Sequence, residues 1–343
     1  MKIFKILLLS LLISNNLFSK DIYSTSEFEL NFSSNNINLT KETKINEIKI
    51  RSFQNIIQQI LTKKNIKKIN LDDINFINSF ILNYKINDEK IINNNYFANI
   101  KINFNKKKFI DYFIENNIDF IDKTLSKFLI IILENNDLNT HLLSEDNSYY
   151  KYLNKSNNNF LKNIFLIPNL DFNDRFLFNE YHFTNEVFKQ NNLLNRKYNT
   201  EYQILVHSIK KNNLLIYDIH LFYNNQKYFV SKIPVNNLNY EKLFNSIFSK
   251  TVNKWKEINQ INTSLVNSFT CKIIINNVNE LQYVRNLLKS NFLIKNLNLK
   301  SIKLNNNLYS ITYIGSFENF QNSLKVNRLN LFNRNNLCNI ELI

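Results

Sequence analysis

A chain of 343 residues that is 44% hydrophobic and 21% charged can fill more than one core and carries too little charge to be a self-repelling disordered polymer. It has 1 Gly, 2 Pro and 1 Trp against 29 Phe and 17 Tyr, the bias expected of a very AT-rich genome, and its formal charge of +15 rests mostly on Lys. One glycine excludes phosphate-cradling loops, dinucleotide fingerprints and nucleophile elbows, because each needs several residues that take positive φ cheaply.

The two Cys and four His have no zinc-ligand spacing. No basic stripe interleaved with aromatics is apparent, so the charge predicts a diffusely basic surface and no nucleic-acid partner. No cofactor is expected.

Residues 1–20 read as an export signal. Lys2 and Lys5 precede an apolar core at 6–13, and 17–19 offers a cleavage end before Lys20. The core is too short to span a bilayer, so residues 1–19 are expected to be removed and no stable transmembrane span to remain.

The first segment, 20–125, predicts an α+β domain. It has a strand at 28–32 and a helix at 41–62 with Ile45, Ile48, Phe53, Ile56, Ile57 and Ile60 on one face. A hairpin follows, with Phe80, Leu82, Tyr84 and Ile86 alternating against Tyr96, Ala98, Ile100, Ile102 and Phe104, turned by Asn93, Asn94 and Asn95. A short helix at 106–116 closes the segment.

The second segment, 126–262, predicts a three-layer α/β domain. The apolar run 127–133 has the character of a central strand buried on both faces, and 163–167 of a shorter one. Two-residue turns at Asn212-Asn213 and Asn224-Asn225 give a three-strand meander. In that register Ile204 faces Leu221, Val206 faces Ile219, and Ile219 faces Val230. A helix at 239–258 closes the segment.

The third segment, 264–343, reads β-α-β-β-α-β, the order of a ferredoxin-like sandwich. Strands are expected at 269–275, 292–304, 308–314 and 337–343, and helices at 279–289 and 317–326. Gly315 is expected at positive φ, with Ser316 capping the second helix. Cys271 and Cys338 fall on neighbouring strands, but antiparallel pairing would separate them, which predicts two buried thiols.

Two constellations could carry chemistry. Asp218 opposite His207 could orient the imidazole for base catalysis, but no nucleophile accompanies them, and cross-strand polar pairs are ordinary in sheets. Asp171 and Asp174, after Pro168, could ligate a divalent cation, but two Asp at this spacing also cap a helix or brace a loop. Both read as structural.

The run Tyr84-Lys85-Ile86-Asn87-Asp88-Glu89-Lys90 with Tyr96-Phe97-Ala98-Asn99-Ile100 resembles the signature hairpin of the exported proteobacterial family called domain of unknown function 2066. The Pro168, Asp171, Asp174 run and Tyr313-Ile314-Gly315 with Phe320 and Leu324 are similar to its middle and carboxy-terminal parts. The resemblance implies a periplasmic location and no known activity. Through that family the middle domain is expected to be similar to the TolB amino-terminal domain, and the first two domains to parts of the flagellar H-ring protein. These expectations describe a non-catalytic binding or assembly module with envelope protein partners. The alternatives are an envelope hydrolase or metal-dependent enzyme, and a secreted surface protein of an AT-rich eukaryote, for which the sequon Asn38-Leu39-Thr40 would matter.

Overall fold

The computed structural model describes residues 22–135, 139–156, 158–185, 187–211, 214–303, 306–334 and 337–343. The expected signal peptide and the Asn212-Asn213 turn lie outside the described residues. The protein is a mixed α+β chain with three sheets among the described residues, and it divides into two compact units. One unit holds 124–258. The other joins 22–123 to 259–343, so the first and third expected segments share a unit.

In the two-part unit, β1 (Phe28–Ser33), β2 (Ile81–Ile92) and β3 (Asn95–Phe104) form an antiparallel sheet in the order β1-β3-β2. The helix Ile37–Ile60 lies on its apolar face and buries Ile45, Ile48, Phe53, Ile56, Ile57 and Ile60, as its periodicity predicts. The Asn36 side chain caps this helix by accepting from the Leu39 amide at 3.2 Å. The expected alternation fails at Phe80, which ends the helix Ile74–Phe80 instead of opening the strand, and on β2 it fails at Leu82. The register shifts between Ile81 and Asn83, so Leu82 is the extra residue and is 61% exposed.

In the other unit, β4 (Phe128–Asn135), β5 (Thr140–His141), β6 (Phe165–Leu166), β7 (Gln203–Lys211), β8 (Leu214–Tyr223) and β9 (Gln226–Val235) build one sheet. β4 pairs in parallel with β6 on one side and β7 on the other, and all its residues from Phe128 to Glu134 are buried. The 163–167 run contributes only the two residues of β6. The meander register agrees with the sequence over β7 and β8, where Ile204 pairs Leu221, Val206 pairs Ile219 and His207 pairs Asp218. It departs on β9. A bulge after His220/Phe229 leaves Val230 unpaired and sets Ser231, not Val230, opposite Ile219.

Helices touch both faces of this sheet. Trp255, on the helix Tyr240–Asn259, meets the Tyr202 ring, and Tyr149, on the helix Ser148–Lys155, meets Tyr217. On the opposite face Asn191 hydrogen-bonds Gln203 at 2.7 Å, and Phe183 packs on His207.

The carboxy-terminal sheet of the two-part unit has the order β11-β12-β10-β14-β13, from β10 (Val266–Ile273), β11 (Ile294–Lys303), β12 (Asn306–Ile314), β13 (Leu329–Arg334) and β14 (Leu337–Leu342). The expected β-α-β-β-α order is present, with helices Val278–Ser290 and Phe317–Val326. The expected final strand is instead a hairpin. β13 takes the edge, and β14 turns back to lie parallel to β10. This reversal corrects the cysteine reading. Parallel pairing puts Cys271 directly opposite Cys338 with Cα atoms 4.5 Å apart, and the two are disulfide-bonded.

The core of this unit is continuous between its two parts. Phe120 bridges Ile261, its ring lies 6.2 Å from that of Phe292, and Asp119 accepts from the Thr263 amide at 2.9 Å.

Candidate functional site

The segment after β6 turns sharply at Leu170, which is buried and sits at φ +61°. A left-handed conformation is costly for a branched side chain and persists only where surrounding contacts fix it. Those contacts are present. Asp174 Oδ2 accepts the Leu170 amide at 3.0 Å and the Tyr198 hydroxyl at 2.6 Å, while Asp174 Oδ1 accepts Lys197 Nζ at 2.6 Å. Tyr198 also accepts the Asn169 amide at 2.6 Å, and Arg175 Nη1 donates to the Leu170 carbonyl at 3.1 Å. The Asp174 side chain is fully buried and has a hydrogen-bond partner on each oxygen.

Asp171 does a different job. It caps the helix Phe172–Leu177 by accepting the Asp174 amide at 2.8 Å, and it also meets Lys197 at 3.2 Å. The backbone hydrogen bond from Asp174, followed by Lys197, holds the Asp171 carboxyl below its ordinary pKa despite some desolvation. Desolvation works against the charge on Lys197, and its hydrogen bonds to Asp174 and Asp171 outweigh this and raise its pKa. Burial pushes the Tyr198 hydroxyl pKa up. The two carboxylates are therefore bridged by the chain's own ammonium group, in the place a divalent cation would need.

Pro168, Asn169 and Leu170 form one wall of a cleft of about 630 Å³. The cleft is also lined by Tyr150, Lys151, Asn154 and Lys155 of the helix Ser148–Lys155, and by Glu145 and Asp146 before it. The Tyr150 hydroxyl accepts the Ile132 amide at 2.9 Å, and the Asn147 amide group donates to the Ile132 carbonyl at 3.0 Å. These side chains satisfy the edge of β4 between β6 and β5 without a strand.

His207 and Asp218 are cross-strand partners on the face of the sheet where Phe183 packs on His207. The Asn135 amide lies 3.3 Å from His207 Nε2 and donates to that nitrogen when it is unprotonated. Burial lowers the His207 pKa, and Asp218 only partly opposes this. Asp218 Oδ2 lies 3.4 Å from Lys232 Nζ, and Oδ1, which is buried and makes no hydrogen bond, lies 3.6 Å from His220 Nδ1. Lys232 reaches this position because the Val230 bulge shifts β9 by one residue.

The remaining residues singled out in the sequence are conformational. Asn224 and Asn225 sit at φ +49° and +60°, the turn of a two-residue hairpin. Gly315 sits at φ +90°, where a Cβ would stand 3.1 Å from Ile261 Cγ2, and Ser316 caps the following helix. The side chains that sequence reasoning missed are Lys197, Tyr198, Arg175 and Tyr150. Nothing local marks Lys197 and Tyr198, whose partner Asp174 is 23 and 24 residues away.

No family model and no curated relative matches the chain.

Proposed function

We propose that this protein is a non-catalytic binding or assembly module of the bacterial cell envelope, exported to the periplasm with loss of residues 1–19. The observation that carries the reading is the use of Asp174. Its carboxylate, with Lys197, Tyr198 and Arg175, holds the backbone of 169–170 in a strained turn beside an open cleft. Buried polar networks that are fully satisfied make a surface rigid, and a rigid surface binds at lower entropic cost. The Cys271–Cys338 bond supports an oxidising compartment. Among the described residues no helix is long and apolar enough to cross a membrane.

Three of the edge strands are protected against strand addition, which favours a cleft as the mode of recognition at those edges. β2 is bulged at Asp88 between Lys85 and Lys90, β9 is bulged and carries Lys232 and Pro234, and β11 has two irregularities with Lys295 and Lys300 nearby. These are devices that keep edges from pairing with other chains. The finer fold assignments, a TolB-like middle unit and a ferredoxin-like carboxy-terminal sheet with one added strand, belong to the same proposal, as does membership of the domain of unknown function 2066 family.

The test is a crosslinking pull-down from envelope fractions. Asn154→Ala with Asn169→Ala alters two exposed side chains of the cleft and should abolish capture of a specific partner while thermal stability is unchanged. Undiminished capture would place the partner elsewhere.

A further inference from the structure

The segment 62–69 carries four exposed lysines on one short turn. It contains a four-residue helix, Lys63–Ile66, and the sequence Thr62-Lys63-Lys64-Asn65-Ile66-Lys67-Lys68-Ile69. Leu61, Asn65 and Ile69 are buried at spacings of four, while Lys63, Lys64, Lys67 and Lys68 are exposed. The burial is tightly fixed. Asn65 Nδ2 donates to the Asp119 carbonyl at 2.8 Å, and the Asn65 and Ile66 amides both donate to the Thr62 carbonyl at 3.0 Å. Four ammonium groups at i, i+1, i+4 and i+5 therefore project from the side of the turn opposite its buried residues.

Nearby carboxylates are engaged in other contacts. Asp119 Oδ1 accepts from the Thr263 amide, Asp72 accepts from Gln54 Nε2 at 2.9 Å, and Asp73 caps the next helix. Lys68 donates to the Asn117 carbonyl at 3.5 Å. Among the described residues none of the four lysines is ion-paired to a carboxylate.

We propose that Lys63, Lys64, Lys67 and Lys68 dock the protein on an anionic lipid surface. Clustered lysines held rigidly at a surface are attracted by lipid phosphates at about fivefold in association per residue, so four give on the order of several hundredfold. Such an attraction is peripheral and reversible, and it fades within about 8 Å at physiological salt. The segment contains no aromatic side chain on which a base could stack and no Arg fork, the features that add to charge in nucleic-acid binding. Point charges alone suffice for lipid headgroups. The inference does not depend on the binding-module reading.

The test is sedimentation of the full mature chain with vesicles of phosphatidylcholine containing 30% phosphatidylglycerol, and with vesicles of phosphatidylcholine alone. The expected result is binding to the anionic vesicles only, weakening as salt rises. The quadruple change K63Q/K64Q/K67Q/K68Q should lower the partition coefficient at least tenfold with unaltered thermal unfolding. The control K85Q/K107Q/K295Q/K300Q removes the same charge from exposed lysines elsewhere and should retain most of the binding. Equal loss in the control would mean that net charge alone acts, and would overturn the proposal. So would binding to neutral vesicles, failure to bind anionic ones, or tighter binding to a short duplex DNA through the same four lysines.

Discussion

The Tyr198 hydroxyl stands between the Asn169 amide and Asp174 Oδ2, at 2.6 Å from each, and so ties the loop 167–170 to a carboxylate buried beneath it. Removing that carboxylate leaves the Tyr198 hydroxyl and the Leu170 amide without their buried acceptor, and leaves the Lys197 ammonium with only Asp171. Asp174→Ala should therefore cost about 3–5 kcal/mol in urea unfolding, the range for breaking a buried ion pair from one side. A loss under about 1 kcal/mol would show that the loop does not depend on Asp174.

The same cluster sets a pH dependence. Asp171 is held below its ordinary pKa, so its contribution is present above the unfolded value near 3.8 and is lost as pH falls through the lower folded value. Lys197 is raised, so its contribution is present below 10.5 and is lost as pH rises through the higher folded value. Unfolding measured from pH 2 to 5 should show a steeper loss of stability in the wild type than in Asp171→Asn. Parallel curves would remove Asp171 from the account.

His207 tests the enzyme alternative. Burial lowers its pKa, so the neutral ring is favoured in the folded state, and stability falls as pH drops below about 6.5 toward the folded value. Its NMR titration midpoint should lie below 6.5, and His207→Gln should flatten the stability curve between pH 5 and 7. His207→Ala and Asp218→Ala should each change stability by roughly 1 kcal/mol and leave the cellular role intact. Loss of that role at unchanged stability would favour catalysis.

Val206 and Ile219 are paired and buried on the face that the helix Tyr240–Asn259 covers. Ile219→Ala should cost about 2–5 kcal/mol, and Ile219→Asp should prevent the 124–258 unit from folding. A folded Ile219→Asp protein with an intact far-UV spectrum would contradict the register.

These cases also show what the sequence made legible. Alternation and Asn turns located the β7–β8 register, because a one-residue slip would turn the whole apolar face outward. The same reasoning could not foresee the extra residues at Leu82 and Val230, since a bulge leaves alternation intact on either side of it. The β13 strand is short, and only Leu329 and Leu331 alternating with polar neighbours mark it in the sequence. A reading without β13 inverts the direction of β14, and with it the relation of the two cysteines. At the loop site, Asp171 and Asp174 stood out as carboxylates, but the cation and the hydroxyl that engage them come from a distant helix and carry no local mark.

The disulfide gives a covalent check. Non-reducing denaturation of the mature protein with a thiol-alkylating reagent should leave both cysteines unlabelled, and reduction should lower stability by about 2–5 kcal/mol. Two labelled thiols in protein taken directly from the envelope would argue against an oxidising location.

The most direct measurement of the central claim is site-specific photo-crosslinking in cells. A photoreactive residue placed at Asn169, exposed on the rim of the cleft, should yield one discrete higher-mass adduct with an envelope protein. The same residue at exposed Asn298, on β11, should yield none. The adduct at 169 should disappear with Asp174→Ala in preparations shown to be folded. No adduct at 169, or identical adducts at both positions, would contradict a binding role for the Asp174-braced loop.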